Sequence, residues 1–379
     1  MKNILVIGNG FDLAHGLKTS YKDFIDFCEV IKSIKIKYEF SNIKEAKQYI
    51  NDIRDEFFDS HKSVVDFFIV DYIDEEVKDN ILNFCMDNFW IDYIHDHKGI
   101  EDRWCDIEYV IGNVIESISY ISNHLGEVIE TDNHRYHKNY EIIVKLEGEL
   151  RVDIGDNIHT KINNLKQKFY DNLEQLTYML EVYLDIISHE INYEKMELFT
   201  LLSADIDYLI SFNYTSTFMN LYHSLSLENV HFIHGEAKPN RKIEENNMVF
   251  GIGQEIKYSG LDDQYDYVEF QKYYQRIIKK TGVQYKEWLS EDFGTIYAGT
   301  TVFIYGHSLD YTDGDVIRDL INCENSELYI FYIDRNALKS LVSNLIKIFS
   351  KEEVIKFTSV GTINFLHVSD IESVKKIIG

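Results

Sequence analysis

The chain has 379 residues, 45% of them apolar, with 27 Tyr and 23 Phe, which excludes a disordered or low-complexity protein and leaves room for one large or two ordinary domains. Its 38 basic and 64 acidic residues give a formal charge of −26, spread along the length, a field that repels nucleic-acid backbones and anionic membranes. The chain opens directly on a core strand and no apolar run reaches membrane-spanning length, so a cytoplasmic protein with no membrane partner is expected and nucleic acid is disfavoured.

The first element is the most informative. Asn3-Ile4-Leu5-Val6-Ile7 runs into Gly8-Asn9-Gly10-Phe11-Asp12-Leu13-Ala14-His15-Gly16-Leu17, which predicts a buried parallel strand turning sharply into a loop and helix. Glycines there permit a tight turn and close approach of a phosphate to backbone amides. The third glycine, Gly16, falls too late for the usual dinucleotide fingerprint.

Beyond it, Phe24, Phe27, Cys28 and Ile31 mark one helix face, and residues 35–195 carry helical periods with little strand pattern. Trp104, Ile107, Ile111, Val114, Ile118 and Ile121 form one stripe; Leu173, Leu176, Leu180, Leu184, Ile187 and Ile191 form another. Strand signals resume at 208–212, 230–233, 248–250, 301–305, 328–333 and 365–368, with helical patterns at 267–280, 313–321 and 337–349 between them. The alternation predicts an α/β fold, a Rossmann-like, mostly parallel sheet formed by residues 1–30 and 200–379, interrupted by a helical insertion over 31–199 that covers the cleft. Ligands in such sheets bind at the carboxyl ends of the strands beside a topological switch point. Cys28, Cys85, Cys105 and Cys323 contain no C-x-x-C pair, so no zinc ribbon is expected, and no metal ligands are assigned in the leading reading.

Gly8-x-Gly10 after the first strand, Asn213 after a second, His234-Gly235 after a third and Gly306-x-Ser308 after a fourth form an ordered set that resembles the sirtuin-like fold, including its late glycine at Gly16. The opening run 7–17 with Thr19-Ser20-Tyr21, the stretch Trp104-Cys105-Asp106-Ile107-Glu108, Ser211-Phe212-Asn213-Tyr214-Thr215 and Ile304-Tyr305-Gly306-His307-Ser308-Leu309 resemble the AbiH family of bacteriophage abortive-infection proteins, over nearly the whole chain. That resemblance implies an anti-phage protein with a sirtuin-like, NAD-binding core. By position it makes His234 the catalytic histidine, Asn213 the residue holding ribose or the attacking water, and Gly8, Gly10 and Ser308 the lining of the phosphates. Asn9, Phe11, Asp12, His15, Gly235, Gly306, His307 and, after the fifth strand, Asp334 are further candidates for contact with NAD. Two departures stand out: Thr215 replaces the aspartate that sirtuins place two residues after the asparagine, and Asp12 replaces the serine of their glycine loop.

Departure of nicotinamide leaves positive charge on ribose, and a histidine of near-neutral pKa is suited to take a proton from the incoming water, with general-base help of roughly two to four decades in rate. On a regular helix Asp106 and Glu108 fall on opposite rims of the apolar stripe, so they would not share a metal; Glu108, on the Trp104 side, is a candidate acid or ribose partner. Glu236 and Asp310 lie near strand ends and rank behind it. The structural alternatives are ordinary ones: a histidine or asparagine closing a strand, and Asp12 with His15 capping a helix start. The expected function is an NAD-consuming hydrolase acting on the nicotinamide–ribose bond, set off by a phage-derived trigger and working as a homo-oligomer. The alternatives are a non-catalytic sensor of NAD or ADP-ribose, and a metal-dependent nuclease using Asp12, His15, Asp106 and Glu108.

Overall fold

An unbroken apolar run is the mark of a strand covered on both faces, and Ile4, Leu5 and Val6 in the first strand are wholly buried. Six strands, β1 (Lys2–Ile7), β2 (Tyr208–Ser211), β3 (Val230–Phe232), β4 (Thr300–Tyr305), β5 (Ser326–Tyr332) and β6 (Ile363–His367), form one sheet in the order β3-β2-β1-β4-β5-β6. Every pairing in it is parallel. The computed structural model describes residues 2–96, 104–123, 142, 146, 158–189, 194–222, 225–238, 240–253, 267–289 and 299–378.

The chain divides into two units, and the sheet belongs to the one made of Met1–Thr19, Glu181–Pro239 and Lys279–Gly379. Alternate residues of each strand feed two cores. Ile4, Val6, Ile210, Val302, Ile304, Leu328 and Ile330 pack on one face with Val316, Ile317 and Leu320 of the Gly314–Ile321 helix and Leu341 and Leu345 of the Arg335–Ile348 helix. Leu5, Ile7, Leu209, Phe303, Tyr305 and Phe331 pack on the other, with Phe199 of the Glu197–Leu202 helix, Phe218 of the Thr217–Tyr222 helix and Val374 of the Ile371–Ile378 helix. Each such side chain contributes about 1.5–3 kcal/mol by leaving water. The strand order reverses between β1 and β4, whose carboxyl ends lie side by side with Ile7 opposite Tyr305. That pair of ends is the switch point at which open α/β sheets hold ligands.

The other unit comprises Ser20–Leu180 and Asn240–Ile278. Its described residues are mainly helical. Ser20 Oγ caps the Tyr21–Tyr38 helix by accepting from Asp23 N–H, and Phe24, Phe27, Cys28 and Ile31 are buried as their spacing predicts. The Trp104–Asn123 helix buries Ile107, Ile111, Val114, Ile118 and Ile121. A 32-residue helix, Ile158–His189, contributes its residues up to Leu180 here and the rest to the sheet unit. Trp90 Nε1–H donates to Phe169 O at 3.0 Å, while the Phe169 ring stacks on Phe89.

The strand expected at 248–250 does not form. Met248, Val249 and Phe250 are all buried, at 0%, 0% and 1% exposure, so the run is apolar without belonging to the sheet. The Gln275 side chain takes the place of a neighbouring strand: its Oε1 accepts from Phe250 N–H at 2.7 Å and its Nε2 donates to Phe250 O at 3.0 Å. Only an isolated bridge, Ile252 to Gln271, follows. An apolar run of three satisfies strand and buried loop equally well; a distant amide decides between them.

Candidate functional site

Packing at the switch point begins with glycine. Gly8 N–H donates to Tyr305 O at 3.0 Å and Gly10 N–H to Gly306 O at 2.8 Å, so the loops leaving β1 and β4 lie backbone against backbone. A Cβ on Gly10 would fall 2.7 Å from Gly306 Cα, and Gly306, at φ +69°, would put one 2.3 Å from Phe11 N. Glycine is required here by the contact between the two loops, and the Gly8 and Gly10 amides are engaged within the fold. Phe11 turns into the core, edge-on to Phe199. Asn9 ties the loop down instead: its Oδ1 accepts from Thr19 Oγ1 at 2.6 Å.

Asp12 is 1% exposed and its carboxylate meets the end of β2. Thr215 Oγ1 donates to Asp12 Oδ2 at 2.5 Å, and Thr217 Oγ1 donates to Thr215 Oγ1 at 3.0 Å. Burial pushes the Asp12 carboxyl from its ordinary 3.8 up to about 7, against the opposing pull of Thr215, Thr217 and the Asn213 amide. Asp12 Oδ1 and Asn213 Nδ2 are both buried and make no hydrogen bond of normal geometry, although the Asn213 amide lies near enough to the carboxyl to favour its charged form. Thus the two departures from the sirtuin pattern, Asp12 and Thr215, are bonded to each other.

A second cluster lies at the ends of β3 and β4. The Asp313 carboxylate stands between two imidazoles, with Oδ1 2.9 Å from His234 Nε2 and Oδ2 3.4 Å from His307 Nε2. All three side chains are buried or nearly so. Phe212, next to Asn213, fits between the rings, its centroid 4.0 Å from His307 and 5.6 Å from His234. Leu309 N–H donates to His307 Nδ1 at 2.9 Å, which places the His307 ring proton on Nε2, toward Asp313. Gly235, at φ +82°, closes the turn that aims His234, its N–H donating to Phe232 O. Asp313 carries no signal of its own in the sequence, where it reads as the start of the next helix. Six residues past His307 in the segment after β4, it becomes significant only once folding brings the ends of β3 and β4 onto one edge of the sheet.

Other candidates have structural partners. His15 Nδ1–H donates to Phe11 O at 2.8 Å, and the Tyr222 hydroxyl, 2.9 Å away, donates to Nε2, so both ring nitrogens are engaged and burial lowers the pKa. Asp12 and His15 are joined through the backbone, His15 N–H donating to Asp12 O at 3.0 Å, and their side chains go to different partners. Asp334 Oδ1 accepts from Ala337 N–H at 2.8 Å as the cap of the Arg335–Ile348 helix, and Ser308, an exposed residue, offers its carbonyl to Asn344. Glu236 accepts from Ser216 and pairs with Lys238, and Asp310 caps the turn before Asp313. Glu108 belongs to the helical unit, where Oε1 lies 2.8 Å from Lys272 Nζ. The Trp104 and Asp106 side chains lie outside the described residues.

Among the described residues no group of three or more His, Cys, Asp or Glu side chains is placed to hold a metal ion, and no helix is long and apolar enough to cross a membrane. Neither a curated protein nor a solved structure matches the chain. The family model described as bacteriophage abortive infection AbiH does, over residues 4–333, a span that holds β1 to β5 and both polar clusters. The chain belongs to the AbiH family, and its role is in abortive infection against phage.

Proposed function

We propose that this AbiH protein is an NAD-consuming hydrolase that breaks the bond between nicotinamide and ribose and so depletes the infected cell. The supporting observation is the pair Asp12 and Asn213, whose Oδ1 and Nδ2 lie buried near each other past the ends of adjacent strands without a hydrogen bond of normal geometry. Leaving such groups unpaired costs about 1–3 kcal/mol each. A sugar hydroxyl answers both, donating to the carboxylate oxygen and accepting from the amide.

The next strand end supplies the base. Nicotinamide leaves with the electron pair of its bond to ribose C1′, water adds to the resulting cation, and His234 takes the proton that water releases. Products are ADP-ribose, nicotinamide and one proton. Activation by a phage-derived trigger and assembly into a homo-oligomer complete this reading.

Mass spectrometry of cells under phage challenge tests it, with wild type, His234→Ala and Asn213→Ala at matched expression. The reading requires NAD to fall and nicotinamide to rise in wild type alone. Unchanged NAD in all three, with protection retained, refutes hydrolysis. If purified protein were then stabilised by ADP-ribose without turnover, it would be a nucleotide sensor.

A further inference from the structure

We propose that Thr215 and Thr217 are positioning residues whose hydroxyls form a one-way relay into Asp12 Oδ2, which reserves Asp12 Oδ1 as the oxygen that meets the ligand hydroxyl. The identity of the ligand rests on the hydrolase reading; the relay rests on geometry. A threonine hydroxyl has one proton to give. Thr215 gives its proton to Asp12 Oδ2 at 2.5 Å, and its oxygen accepts from Thr217 Oγ1 at 3.0 Å. Both hydroxyls point the same way and strengthen each other, away from water, with Thr215 4% and Thr217 3% exposed. The turn that carries them is held by its own backbone. Ser211 Oγ accepts from Asn213 N–H and donates to Asn213 O, and Ala237 N–H donates to Tyr214 O.

The relay decides where Asp12 carries its proton. Oδ2 already faces a donor, so a proton on the carboxyl resides on Oδ1, the atom to which a ligand hydroxyl donates. Ligand and proton compete for one oxygen. Burial raises the Asp12 carboxyl to about 7, and Thr215, Thr217 and Asn213 pull it back. Other titratable groups on these strand-end segments have partners of their own. His15 bonds Phe11 O and Tyr222, Glu236 bonds Ser216 and pairs with Lys238, and Asp313 lies between His234 and His307. Removing the Thr215 hydroxyl takes a donor from the charged carboxylate and raises its pKa further, by about one unit for one hydrogen bond.

The test uses full-length protein labelled with 13C at the aspartate carboxyl, the Asp12 signal identified by its absence from Asp12→Asn. In wild type that signal is expected to titrate near pH 7. Thr215→Val is expected to move the midpoint up by about one unit and Thr217→Val by less, while Thr215→Ser and Thr217→Ser restore it. Midpoints unmoved in both valine variants, equal shifts in the valine and serine variants, or a wild-type midpoint at the ordinary 3.8 overturn the relay. Calorimetric titration with NAD, with nicotinamide release followed in parallel, is the second arm. Wild type is expected to bind about tenfold more tightly at pH 8 than at pH 6, and the difference to vanish in Asp12→Asn. A pH-independent affinity in wild type, or a dependence that survives in Asp12→Asn, overturns the assignment of Oδ1 to the ligand. If the midpoints move as expected but NAD is neither bound nor cleaved at either pH, the hydrolase reading fails and the relay stands.

Discussion

Thr215 Oγ1 donates a hydrogen bond of 2.5 Å to Asp12 Oδ2 across 203 residues of chain, joining the short Asn9–Ala14 helix after β1 to the turn after β2. The bond satisfies one carboxylate oxygen and leaves the other, and that imbalance has a consequence for stability. The Asp12 carboxyl titrates at about 7 in the fold instead of its ordinary 3.8, because burial disfavours its charge. Between those values the folded chain holds a proton that the unfolded chain has released, so this residue's contribution falls as pH rises from about 4 to about 7 and is level above. The difference corresponds to about 4 kcal/mol at most. Asp12→Asn keeps an acceptor for Thr215 and removes the charge; its melting temperature relative to wild type is expected to rise progressively from pH 4 to pH 8. A difference independent of pH would show that Asp12 titrates normally.

His15 is held by the fold at both nitrogens, and Tyr222 is the partner that can be removed without touching the loop. Tyr222→Phe deprives His15 Nε2 of its donor and Met196 N–H of its acceptor. Denaturant unfolding is expected to show a loss of about 1–3 kcal/mol, with nicotinamide release per folded molecule unchanged. A loss of release at unaltered stability would instead place His15 on the ligand.

Gly306 and Gly16 both have positive φ, +69° and +83°, yet they differ in surroundings. A Cβ on Gly306 would fall 2.3 Å from Phe11 N, whereas one on Gly16 meets nothing within 4 Å. Gly16→Ala is expected to cost about 1–2 kcal/mol from backbone conformation alone. Gly306→Ala adds a steric overlap that only separation of the β1 and β4 loops relieves, so it is expected to cost clearly more and to reduce the yield of folded protein. Equal melting temperatures for the two variants would contradict the close loop contact.

Glu108 and Lys272 form an ion pair whose side chains are 14% and 8% exposed. Breaking such a pair typically costs about 3–5 kcal/mol, while replacing both members with apolar residues of similar size is often neutral. Glu108→Gln is therefore expected to lower the melting temperature, and Glu108→Met with Lys272→Met to recover most of the loss. A catalytic Glu108 would behave otherwise: release would fall in Glu108→Gln with little change in melting, and the double variant would not regain it.

Much of the fold was legible in the sequence because burial leaves a local, periodic trace. The runs expected as strands at 3–7, 208–212, 301–305 and 328–333 fall on β1, β2, β4 and β5 to within a residue or two at each end, and the stripe of Ile107, Ile111, Val114, Ile118 and Ile121 is a buried helix face. His234 and Asn213 were visible as polar residues directly after such runs. A short apolar run is the exception: at 248–250 local pattern could not tell a strand from a segment buried under Gln275.

By itself, then, the sequence determined the family, the parallel α/β architecture and the strand ends at which polar side chains gather, because each is written in residues close together along the chain. Only the tertiary structure decided that the strand order reverses between β1 and β4, that Asp12 bonds Thr215, that His15 turns to Tyr222, and that Asp313 stands between His234 and His307. Those relationships join residues from separate elements, and no local period encodes them. They exist because a buried polar atom must find its partner wherever folding brings one within reach.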